Sequence, residues 1–112
     1  MKKIVIIDYN IGNISAIANM LYRIGEKPII TNDHKDIDAS DIIILPGVGS
    51  FDRAIKNLKE KNLISILKKK IKDNTKILGI CLGMQILCNG SEEGNEEGLK
   101  VFDVFCKSFH SP

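Results

Sequence analysis

An α/β fold with an open parallel sheet flanked by helices is what this sequence predicts, on three observations. Short, wholly apolar and largely β-branched runs recur along the chain, as strands buried on both faces require. Segments with helical spacing lie between them and are long enough for the crossovers that parallel strands need. Turn residues punctuate nearly every change from one pattern to the other.

Residues 3–8 are the first apolar run, ending at Asp8. Tyr9 to Gly12 reads as a turn, and Asn13 as a helix N-cap. Ile14, Ile17, Leu21 and Ile24 then follow helical spacing, with Gly25 as the residue that closes the helix. Residues 27–31 give a short second strand, and the polar stretch 33–40 a loop with a helical turn. Ile42-Ile43-Ile44-Leu45 is the third strand, broken sharply by Pro46-Gly47-Val48-Gly49-Ser50. Residues 52–60 and 62–72 look helical; in the latter Ile64, Leu67 and Ile71 share a face and the lysines lie largely elsewhere. Asp73-Asn74 is a turn, 76–80 a fourth strand, and Gly83 to Cys88 the start of another helix. Residues 90–98 read as a loop rich in Gly and Glu, and 99–105 as one more strand. The expected architecture is thus α/β and flavodoxin-like, in one domain spanning 1–112, without repeat or linker.

Composition narrows the functional classes. Hydrophobic residues make up 44% and charged residues 27%, an ordinary globular balance. A net charge of +2 from 16 basic and 14 acidic residues, mostly lysine on the basic side, gives no footprint for nucleic acid or an acidic membrane surface. The three cysteines, Cys81, Cys88 and Cys106, form neither a disulfide framework nor a CxxC metal pattern, which points to a reducing, cytoplasmic compartment. The apolar run at the N-terminus is too short for a signal-peptide core, and no segment is long enough to span a bilayer.

The informative stretch is Gly79-Ile80-Cys81-Leu82-Gly83-Met84-Gln85, between a strand and a helix. G-x-C-x-G is the cysteine form of a nucleophile elbow, a tight turn that lifts one side chain clear of the sheet. Gly79 and Gly83 leave room for that turn. Cys81 is placed at a helix N-terminus, whose N–H groups and dipole favour an anion. The N–H of Leu82, next after the nucleophile, is placed to hold an oxyanion. Alone, the pattern equally fits a buried cysteine in a turn, and Cys88 and Cys106, which lack it, read as packing residues. Pro46-Gly47-Val48-Gly49-Ser50-Phe51 also follows a strand, where open α/β sheets bind ligands. Its glycines allow the Val48 N–H to swing toward a substrate oxygen. Alone, this loop reads as a plain turn; the two loops together say more than either.

Leu78-Gly79-Ile80-Cys81-Leu82-Gly83-Met84-Gln85-Ile86-Leu87 resembles the elbow of the class I glutamine amidotransferases, and Pro46-Gly47-Val48-Gly49-Ser50-Phe51 resembles their oxyanion strand. Asp8-Tyr9-Asn10-Ile11-Gly12-Asn13, Ser91-Glu92-Glu93-Gly94 and Gly98-Leu99 resemble the branch that serves a cyclase in histidine biosynthesis. The resemblance implies hydrolysis of glutamine to glutamate and ammonia, with the ammonia passed to a partner cyclase of (β/α)8-barrel fold. It implies Cys81 as nucleophile, Val48 and Leu82 N–H groups as oxyanion donors, and Gly47, Gly49 and Gln85 as substrate-binding positions. Asn13 would face the cyclase. No metal or organic cofactor is implied.

The sequence departs from the family in two places. The family's base and its orienting partner form a His-x-Glu pattern well downstream of the elbow, and no such pattern occurs in these 112 residues. His34 lies in a polar stretch, and His110 does not match the catalytic position. Gly98-Leu99-Lys100 also lacks a second glycine expected after Leu99. The sheet is accordingly expected to be incomplete on its C-terminal side, its open edge prone to association, and these residues alone to have little glutaminase activity. Competing expectations are a glutaminase for a surface-sugar amidotransferase, a remnant or docking module without catalysis, and a flavin or nucleotide binder, the last disfavoured because Gly12 is the only glycine in the Asp8–Asn13 turn after the first strand. The lysine-rich segment 56–72 reads as solvated helix surface, and the glutamates at 92, 93, 96 and 97 as exposed loop residues.

Overall fold

The computed structural model describes residues 2–10, 14–88, 90–91, 96–100 and 105–106. A four-stranded, all-parallel sheet in the order β2-β1-β3-β4 forms its centre, from β1 (Ile4–Ile7), β2 (Ile29–Thr31), β3 (Ile42–Leu45) and β4 (Lys76–Gly79). This is the flavodoxin-like order, with the central strands entering first and the edges added outward. A small parallel pair, β5 (Gly90–Ser91) with β6 (Phe105–Cys106), stands apart from it. Thus the expected loop at 90–98 opens with a two-residue strand, while 101–104, most of the last expected strand, lie outside the described residues, as do Asn13 and His110. Among the described residues, no helix is long and apolar enough to cross a membrane.

The alternation of side chains along β1 and β3 divides the core. Val5, Ile7, Ile43 and Leu45 point to one face, where they meet Ile37 of α2 (His34–Asp38), Phe51, Ala54, Ile55 and Leu58 of α3 (Phe51–Glu60), Ile66 and Leu67 of α4 (Ile64–Lys72), and Leu82 and Ile86 of α5 (Leu82–Ile86). Ile4, Ile6 and Ile44 point to the other, where α1 (Ile14–Arg23) lays down Ile14, Ile17, Ala18 and Leu21. Both faces of β1 are covered, so all four of its residues are buried. One row on the α1 face runs straight across the sheet, Ile30–Ile6–Ile44–Leu78. Its two central members are buried, while Ile30 and Leu78 at the ends are 44% and 55% exposed. Leu78, in the fourth predicted strand, is exposed because β4 is an edge of the sheet among the described residues and α1 spans only the middle of the row.

Two boundaries and one side chain differ from the sequence reading for identifiable reasons. Ile24, expected on the apolar face of α1, falls one residue past the helix and is exposed, because Gly25 (φ 90°) reverses the chain and Glu26 N–H returns to the Leu21 carbonyl at 2.9 Å. Asn62 takes φ 58° and ends α3, with Leu63 N–H on the Leu58 carbonyl at 2.9 Å, so α4 starts at Ile64 rather than 62. Lys70 does not join its neighbours in solvent. It is buried, and its Nζ donates to the Asp38 carbonyl at 2.8 Å and the Ser40 carbonyl at 3.0 Å, closing the C-terminal end of α2.

Candidate active site

The two informative loops leave adjacent parallel strands at the same end. Leu45 is in register with Gly79, so Pro46–Gly49 and Ile80–Gly83 rise side by side. Backbone bonds continue the ladder into both turns: Ile80 N–H donates to the Leu45 carbonyl and Leu82 N–H to the Gly47 carbonyl, each at 3.0 Å.

Cys81 occupies the tip of the elbow with φ 55° and ψ −119°. An L-residue adopts this region at a cost of roughly 1–3 kcal/mol, which the surroundings must offset. The turn is held by Gly83 N–H on the Ile80 carbonyl and Met84 N–H on the Cys81 carbonyl, each at 3.0 Å. It closes only with glycine at 83, because a Cβ there would stand 1.8 Å from the Leu45 carbonyl oxygen. The expectation that glycines make room for a sharp backbone therefore holds. The result is a solvent-exposed Cys81, directly before the short α5. Gln85 lies four residues on, within α5, and is half-buried. Cys88, read as a packing residue, is buried at 4% exposure; the side chain of Cys106 lies outside the described residues.

The loop after β3 is seated on the elbow. Gly47 is buried, and a Cβ on it would lie 2.8 Å from Leu82 Cβ, 2.8 Å from Tyr9 Oη and 2.9 Å from Gly83 N. Its glycine character thus serves close approach of loop to elbow. Gly49 adopts φ 96° with open space around it, and Val48 between them is 54% exposed. The Leu82 N–H, expected to point at an oxyanion, is occupied by the Gly47 carbonyl in this arrangement.

Two residues absent from the sequence reading of the site support this loop. Tyr9, read there as part of a turn, is fully buried and donates its hydroxyl to the Pro46 carbonyl. Asn57 on α3 donates to the Tyr9 carbonyl at 3.1 Å. Neither contact has a local sequence signal, since the partners are 37 and 48 residues apart.

No base stands beside Cys81 among the described residues. His34 Nε2 lies 2.7 Å from the Asn62 carbonyl oxygen. Asn62 follows the far end of α3, about 15 Å along the helix from the Gly47–Val48 loop, so His34 ties α2 to the α3–α4 turn. No group of three or more potential metal-ligating side chains occurs among the described residues.

A parallel α/β sheet carries an exposed cysteine on a strained strand-to-helix elbow with a glycine loop seated against it, and the sequence profile of the class-I glutamine amidotransferases matches residues 5–103. The chain belongs to that family. Among its relatives, the imidazole glycerol phosphate synthase subunit HisH 2 of Methanococcus maripaludis is 55% identical over 97 residues, which is 86% of this chain and 48% of the relative. The corresponding HisH subunit of Cyanidium caldarium is 44% identical over 111 residues, covering 97% of this chain and 52% of the relative. The chain therefore spans about half the length of the curated relatives it matches. A crystal structure described as that of a glutamine amidotransferase superposes with a TM-score of 0.76 at 18% identity, covering 92% of this chain and 55% of that one, and so shares the fold.

Proposed function

We propose that these residues form the nucleophile-bearing half of a glutaminase site that serves imidazole glycerol phosphate synthesis in histidine biosynthesis. The observation that carries the reading is the strained, exposed Cys81 at an elbow against which a glycine loop is seated. Cys81 Sγ attacks the side-chain amide carbon of glutamine, and the carbonyl oxygen becomes an oxyanion. The C–N bond then breaks, a thioester forms and ammonia leaves with the proton it has gained. Water cleaves the thioester to glutamate and regenerates the thiol.

Oxyanion stabilisation is assigned to the N–H groups of Leu82 and Val48. Since Leu82 N–H is bonded to the Gly47 carbonyl, the Gly47–Val48 peptide must turn over before either donor serves. One rotation does both jobs: it withdraws the carbonyl from Leu82 and brings the Val48 N–H round to the same side. Gly47 lies on one side of the rotating peptide, and Gly49 follows Val48 on the other. Gln85, with Gly47 and Gly49, is assigned to holding the glutamine.

Ammonia is delivered to a cyclase partner of (β/α)8-barrel fold, with Asn13 on the contacting surface, in the cytoplasm. The relatives' names support this pathway over a surface-sugar acceptor. A thiol needs a base, and His34, bonded to the Asn62 carbonyl, is not assigned that role. The test is glutamine turnover in the assembled synthase. Cys81→Ser should abolish it, and a Cys81→Ser enzyme that still releases ammonia would refute the assignment.

A further inference from the structure

Tyr9 stands two residues past the end of β1 in full burial, with its side chain's one polar atom aimed at a single backbone group, the Pro46 carbonyl. Pro46 is itself buried and immediately precedes the peptide that must turn. The position of a Cβ on Gly47, 2.8 Å from Tyr9 Oη, shows how closely the phenol approaches that peptide. Tyr9 is in turn tied to α3 by the 3.1 Å bond from Asn57. Turning a peptide over changes the two torsions beside it and leaves the next peptide planes where they were. That is a local event only if the preceding plane is held.

We propose that Tyr9 is a positioning residue of the site: its hydroxyl fixes the Pro46 carbonyl so that the Gly47–Val48 peptide turns about a fixed pivot. On one side of the turn the Gly47 carbonyl caps Leu82 N–H; on the other both N–H groups face the substrate. The catalytic clause rests on the glutaminase reading, while the clamp itself rests on the hydrogen-bond geometry. Burial pushes the Tyr9 hydroxyl far above its ordinary range, so it remains a donor throughout the neutral range.

Tyr9→Phe removes the donor and keeps the ring. Amide exchange in the chain reads the clamp directly. The Leu82 N–H should exchange about tenfold faster, the worth of one net hydrogen bond, while Ile6 and Ile44 at the sheet centre keep their protection. In the assembled synthase kcat for glutamine should fall about tenfold with KM within twofold, and alkylation of Cys81 by iodoacetamide, which needs no oxyanion donors, should be unchanged. Leu82 exchange that stays level with Ile44 overturns the proposal. Should the variant lose protection everywhere, 3-fluorotyrosine incorporated into the native sequence supplies a stronger donor: slower Leu82 exchange supports the clamp and unchanged exchange overturns it. Absence of glutamine turnover in the unmodified assembly would count against the glutaminase reading alone, leaving the exchange result to decide the clamp.

Discussion

Replacing Gly47 by alanine tests whether the loop rests on the elbow. The new methyl would meet Leu82 Cβ and Tyr9 Oη at 2.8 Å and Gly83 N at 2.9 Å, whereas ordinary contact begins at 3.4 Å. None of the three can step aside cheaply: one is backbone, one is a Cβ fixed by its own backbone, and one is a buried phenol held by Pro46. The loop must therefore retreat by roughly 0.6 Å, an overpacking cost of about 1–3 kcal/mol. Because Val48 moves with Gly47, the N–H proposed as an oxyanion donor shifts relative to Cys81. A misplacement of that size should lower kcat by about 10–100-fold. Urea unfolding of the chain gives the first quantity and glutamine turnover of the assembled synthase the second. Gly49→Ala is the control: it meets nothing within 4 Å and suffers only from its φ of 96°, so it should destabilise by about 1 kcal/mol without unseating the loop. A Gly47→Ala protein with native stability and native turnover would refute the seating.

Four further outcomes follow from the same contacts. Cys81→Gly relieves the φ of 55° and should be about 1 kcal/mol more stable in urea than Cys81→Ala, with glutamine turnover expected from neither; equal stabilities would mean that no strain is stored there. Lys70→Met strands the Asp38 and Ser40 carbonyls and should cost about 2–3 kcal/mol, with native-like stability ruling out the buried amine. Lys100 holds φ 58° where the sequence reading looked for a glycine, so Lys100→Gly should raise stability by about 0.5 kcal/mol. Its exposed 3.3 Å pair with Glu97 is too weak to reverse that sign, and a lower melting temperature would count against the account. Finally, because burial raises the Tyr9 pKa above its unfolded value of 10.0, its contribution is complete below pH 10 and is lost as pH rises beyond it. Unfolding titrations should show a steeper alkaline loss for the native chain than for Tyr9→Phe.

The elbow was legible in sequence because its chemistry is local. A cysteine with positive φ and a glycine two residues on, forced by the Leu45 carbonyl, leave a pattern within five residues. The core of β1 and β3 was legible for a similar reason, since strands covered on both faces are apolar at every position. What the sequence hid depends on distant partners. Lysine is seldom buried, and only the carbonyls of Asp38 and Ser40, brought to α4 by folding, make position 70 an exception. Leu78 looks like any other residue of a buried strand until the sheet order places it on an edge. Tyr9 and Asn57 carry no motif, because their partners lie in other elements. Gly47 was read as a substrate position, yet its glycine character is required by the seating on Leu82, Tyr9 and Gly83; the two demands produce the same letter in the sequence.

The pairing of Leu45 with Gly79 makes the site a gauge of strand alignment. Each half of it is carried by one strand, and the two are matched by a single ladder. Displacing β4 by two residues along β3 would keep every side chain on its proper face and much of the apolar contact. It would also carry Cys81 about 6.6 Å away from Gly47. Such a chain would remain compact, helical and sheet-rich by spectroscopy while its cysteine had no loop beside it. Hydrophobic burial alone cannot reject that misalignment; the Gly83–Leu45 approach can, since only one alignment lets the elbow close against the end of β3.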